Sequence, residues 1–206
     1  MSLRALDGDG TSSGAEAPQL TAEGPDERLR LLQAGDRKAI SDAVRELFPT
    51  IRNWLHRLLG PSADLDDATQ DALTEFAKAL PRFEGRSSLK TLAHRITVRV
   101  AYRYFRKSSD KSLELVPPPP DKVDPESRVM GREALKRLYR CLDRMPKKRR
   151  VAFVLCAIEG LSPAEAAKIE GVSAVAMRSR LMHARAEISR RLSADPYVNA
   201  FVERSP

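Results

Sequence analysis

Three short stretches carry side chains whose types and spacing could do chemistry. The first is DLDDATQD, residues 64 to 71, where Asp64, Asp66, Asp67 and Asp71 crowd one helix start together with Gln70. The second is PRFEGRSSLKTLAHRITVRVAYRYFRK, residues 81 to 107, with eight basic side chains against one acid, Glu84. The third is SAVAMRSRLMHARAEI, residues 173 to 188. Clustered aspartates can ligate a cation, but a metal site wants nearby histidine or a second acidic cluster, and neither is present. There is no phosphate loop and no nucleophile–base set, and His56, His94 and His183 are scattered. No catalytic residue, metal or cofactor is therefore expected. What remains is recognition by charge. The acidic stretch either caps its helix, as the helix dipole favours, or presents a face to a protein. The basic stretches fit a polyanion.

Bulk numbers agree with the second possibility. The 206 residues carry a net charge of +8. That charge resides mostly in two blocks: residues 26–107 hold 16 basic and 11 acidic side chains, and residues 126–206 hold 17 and 9. A surface of this sign suits nucleic acid or an anionic membrane. No apolar run approaches the roughly 20 residues needed to span a bilayer, and the first residues lack the basic start and apolar core of a signal peptide. Cys141 and Cys156 have no CxxC or His-rich context, so both are expected to be buried thiols. A cytoplasmic location fits.

The elements that must position these stretches are helical. Glycine is scarce and no segment alternates as an amphipathic strand does. The fold class expected is all-α, with two small helical domains joined by a Pro-rich linker, the second containing a helix-turn-helix. Residues 1–25 are expected to be a disordered tail. Residues 26–107 form the first domain. Residues 108–125, with Pro117 to Pro120 in a row, form the linker, since four prolines force polyproline geometry. Residues 126–206 form the second domain.

In the first domain, helices are expected around Leu29–Leu32 and over Ile40–Leu59, with Pro49 kinking or dividing the second. A helix over 64–80 turns Leu65, Ala68, Ala72, Leu73, Phe76 and Leu80 inward. Phe83 to Ser88 is a loop, and Ser87 or Ser88 caps the next helix. There Leu89, Leu92, Ala93, Ile96 and Val100 pack inward, while Arg95, Arg99, Arg103 and Arg106 run down one side at three- and four-residue steps. In the second domain a helix over 126–145 precedes one starting at Pro146 and ending at Gly160. Ser162 and Pro163 start a short third helix, and Ser173 caps a fourth after Gly171.

A short helix, a glycine turn and a capped basic helix make a helix-turn-helix, whose second helix enters the major groove. At about 100° per residue, Met177, Leu181, Ala184 and Ile188 form an inward stripe. Arg178, Ser179, Met182 and His183 face base edges. Arg180 and Arg185 are placed for phosphates or for intramolecular pairs.

The run LDRMPKKRRVAFVLCAIEGLSPAEAAKIEGVSAVAMRSRLMHARAEI resembles region 4 of extracytoplasmic-function (ECF) sigma factors of the sigma-70 family. EGLS is Glu159 to Ser162 and RSRLMHAR is Arg178 to Arg185; Val175 and Ala176 stand where the family has Gly-Thr. The acidic stretch is similar to region 2.2, D-x-E-D-x-x-Q-E. The run 81–107 is similar to regions 2.3 and 2.4 at Phe83, Gly85, Ser87, Thr91, Arg95, Ile96 and Arg106, departing at Leu89, Leu92 and Arg99. The resemblance covers residues 27 to 192.

The resemblance implies that Asp64, Asp66, Asp67, Gln70 and Asp71 bind the β′ clamp of core RNA polymerase, and that the protein also meets the β flap. It implies that Phe83, Arg86, Ser87, Lys90, Arg95, Arg99, Arg103 and Arg106 hold a melted −10 element, and that Ser173, Arg178, Ser179, Arg180, Met182, His183 and Arg185 contact the −35 duplex. An anti-sigma factor is an expected partner, and no small-molecule substrate is implied. Two rivals stay open: a sigma-derived adaptor that binds proteins without initiating transcription, and a helix-turn-helix regulator acting without polymerase.

Overall fold

A computed structural model describes residues 25–105 and 125–193. Residues 1–24 of the expected tail, most of the linker 108–125, Arg106 and the last thirteen residues lie outside the described residues. The described residues are helical and contain no strand: α1 (Pro25–Gln33), α2 (Arg37–Leu59), α3 (Leu65–Ala79), a 3₁₀ turn (Leu80–Arg82), α4 (Leu89–Tyr104), α5 (Pro125–Asp143), α6 (Lys147–Phe153), α7 (Pro163–Glu170) and α8 (Ala174–Leu192). No helix among them is long and apolar enough to cross a membrane.

Local chemistry sets the helix starts. Asp36, Ser88, Ser162 and Ser173 each accept a backbone N–H three residues on, which satisfies a donor the first turn leaves open. At α7 the arrangement is reciprocal: Glu165 N–H donates to Ser162 Oγ at 3.2 Å and Ser162 N–H donates to Glu165 Oε2 at 2.9 Å, a capping box. Asp64 occupies the corresponding position of α3 without a side-chain cap hydrogen bond.

Pro49 does not divide α2, which runs unbroken past it. Proline removes a donor and crowds the carbonyl four residues back. Here Pro49 and Arg45 both face outward, so that carbonyl can turn to solvent. The buried row Leu47, Ile51, Leu55 and Leu58 holds the two halves of the helix on one core.

α2, α3 and α4 pack on one another, burying Ile51, Ala68, Ala72, Phe76, Leu80, Ala93, Ile96 and Val100. Leu73, Leu89, Leu92, Leu135 and Leu138 pack at the core's edge rather than inside it. In the second block α8 lies across α5, α6 and α7. α6 was expected to continue to Gly160 as one α-helix; its last turn, Val154–Ile158, is instead a widened π turn. Cys141 and Cys156 are half-buried, not buried, and burial pushes the Cys156 thiol up.

The two blocks share one core. α4 packs on α7, and the π turn packs on α2. Arg150 of α6 is 5% exposed and its Nε donates to Leu58 O at 2.8 Å. Its guanidinium also pairs with Asp143 and sits 4.7 Å over the Phe105 ring. Trp54 and His94 stack at 3.9 Å between centroids, with the rings 3° from parallel, and His94 Nε2 lies 3.3 Å from Glu159 Oε2. Tyr139 O–H points to His56 O at 3.3 Å. Gly60, at φ +73°, is required here, because a Cβ would come within 2.6 Å of the Tyr139 ring.

Candidate nucleic-acid interface

The acidic start of α3 divides into an outer and an inner set. Asp66 is exposed and pairs with Arg52 of α2 at 3.2 Å. Asp67 and Gln70 point outward. Asp64 is nearly buried, and its N–H donates to Ser62 Oγ at 3.2 Å. Asp71 is tied back to α4, accepting from the Tyr104 hydroxyl at 2.9 Å and lying 3.5 Å from Arg103. Burial and the Asp71 hydrogen bond push the Tyr104 phenol up to about 12. Asp66, Asp67 and Gln70, together with the exposed Asp71, thus point to solvent, and Asp64 alone lies inside.

Beside it, the loop before α4 and one side of that helix enclose an open cavity of about 720 Å³. Phe83, Arg86, Ser87, Arg95, Arg99 and Arg103 all line it. Ser88, not Ser87, takes the cap of α4, accepting from Thr91 N–H at 3.1 Å, which leaves Ser87 to the cavity wall. Arg86 pairs with Glu84 at 2.7 Å, and Lys90 is exposed on the first turn of α4.

The cations are not left bare. Glu75 of α3, which the sequence did not single out, takes Arg99 at 2.7 Å and also pairs with Arg103. Burial pushes the Glu75 carboxyl up, but hydrogen bonds from Arg103 and Arg99 outweigh it and hold the group below its ordinary value of 4.5. Because the folded value lies below the unfolded one, the cluster adds stability above pH 4.5 and loses it as acid protonates Glu75. Urea midpoints are expected to fall on acidification below about pH 4.5, and Glu75→Gln should shrink that fall.

The third surface is α7, its turn and α8. Gly171 adopts the left-handed conformation at φ 72° that this tight turn requires. Ser173 spends its hydroxyl on the cap of α8, accepting from Ala176 N–H at 3.1 Å. Met177, Leu181, Ala184 and Ile188 are buried as the periodicity predicts. Arg178, Ser179, Met182, His183 and Arg185 are exposed, although His183 Nδ1 folds back onto Ser179 O at 2.7 Å.

Arg180 departs from this set. It is half-buried and pairs with Glu170 of α7 at 2.7 Å, taking the intramolecular option. Glu170 also accepts from the Tyr102 hydroxyl at 2.5 Å, and burial with that bond pushes the Tyr102 phenol well above its ordinary range. Arg95 Nε likewise donates to Lys168 O at 3.2 Å. So one cation expected at each DNA element is engaged within the protein: Arg95 across the blocks, and Arg180 inside the second block on the glutamate that Tyr102 of the first also meets. No spacing rule in the sequence could have paired Tyr102 with Glu170, 68 residues apart.

The arrangement offers two basic surfaces and one acidic face on a helical scaffold. The family models "Sigma-70 region 2" and "Sigma-70, region 4" match residues 43–110 and 135–188. The chain is 31% identical over 176 residues to the ECF RNA polymerase sigma factor SigM of Mycobacterium tuberculosis, covering 82% of this chain and 83% of that protein. It is 28% identical over 179 residues to the ECF RNA polymerase sigma-E factor of Escherichia coli K12, covering 78% and 90%. Its fold is similar to CnrH in a complex with the cytosolic domain of CnrY, with a TM-score of 0.60 at 24% identity over 82% of this chain and 96% of that one. It is also similar to the sigma factor RpoE of Bartonella quintana in complex with the anti-sigma factor NepR, with a TM-score of 0.59 at 23% identity over 77% and 99%. The chain belongs to the sigma-70 family, as an extracytoplasmic-function sigma factor.

Proposed function

We propose that this sigma factor brings core RNA polymerase to promoters by three separate surfaces. Asp66, Asp67 and Gln70 at the start of α3 bind the β′ clamp, with Asp64 shaping that helix start from inside and the exposed Asp71 held in place by Tyr104 and Arg103. The cavity between the loop 83–88 and α4 holds the −10 element as single strand. Its phosphates meet Arg86, Lys90, Arg99 and Arg103, and an extruded base enters beside Phe83 and Ser87. α8 reads the −35 duplex in the major groove through Arg178, Ser179 and Met182, with His183 and Arg185 at the rim. The protein binds and the polymerase does the chemistry. The observation that carries this reading is the placement of a capped, exposed basic helix face and a cation-lined cavity on one chain, beside an outward acidic face. The domain division proposed is the one read from sequence, 26–107 and 126–206.

Arg178→Ala is expected to cost about 1–3 kcal/mol on the preferred −35 sequence and much less on unrelated duplexes. Equal losses on all sequences in a titration with labelled DNA would make Arg178 a phosphate contact instead.

Holding two separated DNA elements requires the blocks to part, releasing Arg95 from Lys168 O and Tyr102 from Glu170. Tyr102→Phe removes a hydrogen bond to a charged group, worth about 1.5–3 kcal/mol, so the open form should gain roughly tenfold or more in population. Small-angle scattering should then report a larger radius of gyration for the free protein; an unchanged radius would show that this bond does not hold the blocks together. An anti-sigma factor that favours the closed arrangement would act through the same contact.

A further inference from the structure

Among the described residues three large apolar side chains are exposed: Phe48 at 43%, Val175 at 67% and Met182 at 61%. Phe48 stands by itself on α2. Val175 and Met182 lie on α8, seven residues apart, and so about 20° from each other around the axis and roughly 10 Å apart along it. Ser179 and Ala186 continue the same line, both exposed. Arg178 and Arg185 flank it on one side, and His183 and Arg190 on the other, all exposed. The outward face of α8 therefore has an apolar spine between cationic edges.

From this pattern we infer that Val175 and Met182 read thymine, each through the C5-methyl group of a T·A pair in the −35 element. The inference rests on the proposal that α8 lies in the major groove. The edges fix the class of partner, because arginines on both sides, Arg178 and Arg185 on one and Arg190 on the other, match two phosphate backbones flanking a groove. Within that groove the thymine methyl is the apolar feature a base pair presents. Water leaves both apolar side chains only if such a group meets them. A rise of roughly 10 Å corresponds to about three base-pair steps, so the two thymines stand about three base pairs apart, with Arg178 and Ser179 contacting the pairs between. Val175 is β-branched and stiff, whereas Met182 is long and adaptable. The thymine facing Val175 is therefore the more strictly required of the two.

The test uses the holoenzyme and its own selected promoter. Each −35 thymidine is replaced in turn by deoxyuridine, which removes the methyl and nothing else. Burying one methyl corresponds to roughly a fourfold change in affinity. A loss of that size is expected at two positions about three base pairs apart. The loss should vanish at one position in Val175→Ala and at the other in Met182→Ala. Equal binding of thymidine and deoxyuridine promoters, or a selected −35 element without thymine, overturns the inference and leaves the sigma function standing. A holoenzyme that selects no promoter overturns that function, and the inference with it.

Discussion

Arg150→Ala is expected to cost about 3 kcal/mol of stability. The guanidinium is buried, and its three contacts come from three directions: Leu58 O at the end of α2, Asp143 at the end of α5, and the Phe105 ring beyond α4. Burial pulls its pKa down, and the Asp143 carboxylate opposes that pull. Truncation strands a buried carbonyl and removes the cation facing Asp143. Because the Asp143 side chain is 34% exposed, solvent takes over part of its charge, which keeps the cost in the lower part of the range for a broken buried pair. Arg150→Met fills most of the same volume and should lose less. Thermal and urea unfolding of both variants check this. Equal and small losses for the two would mean that Arg150 fills space and that its polar contacts contribute little.

Asp67→Asn together with Gln70→Ala is expected to weaken binding to core RNA polymerase by about 10- to 100-fold, as for residues central to an interface. The fold should be unchanged, because exposed substitutions away from caps and cores usually stay within about 0.5 kcal/mol. Asp71→Ala is the informative contrast. It breaks the Tyr104 bond and should lower stability by about 1 kcal/mol, so a loss of polymerase binding there would be partly structural. Affinity of the double variant equal to the unsubstituted protein would return Asp67 and Gln70 to the ordinary role of a helix start.

The positions of the helices were legible because their determinants are local. A Ser or Asp three residues before the backbone N–H that donates to it, a Pro at the first helical position and a Gly in the left-handed turn act within four residues. The core stripe of α8 was legible for the same reason, since periodicity alone places Met177, Leu181, Ala184 and Ile188. Pro49 shows where local rules run out: the packing of α2 on α3 and α4 carries the helix through a residue that usually breaks it. The charge pairing was not legible. Glu75 meets Arg99 and Arg103 only through the register of α3 on α4. Arg180 was open to a phosphate or an intramolecular partner, and only the packing of α8 on α7 supplies Glu170. Trp54 and His94 read as isolated residues until α2 and α4 bring their rings into a stack sealed by Glu159. The widened turn Val154–Ile158 packs on α2, a contact that no pattern within its own five residues announces.

The measurement that tests the account most directly is promoter selection by the reconstituted holoenzyme. The protein is mixed with core RNA polymerase and a random-promoter DNA library, and the transcripts are sequenced. The account predicts transcripts that depend on the protein and start at a fixed distance from two recurring elements. Polymerase binding without such transcripts would contradict it in favour of an adaptor, and tight duplex binding without any affinity for polymerase would contradict it in favour of a lone helix-turn-helix regulator.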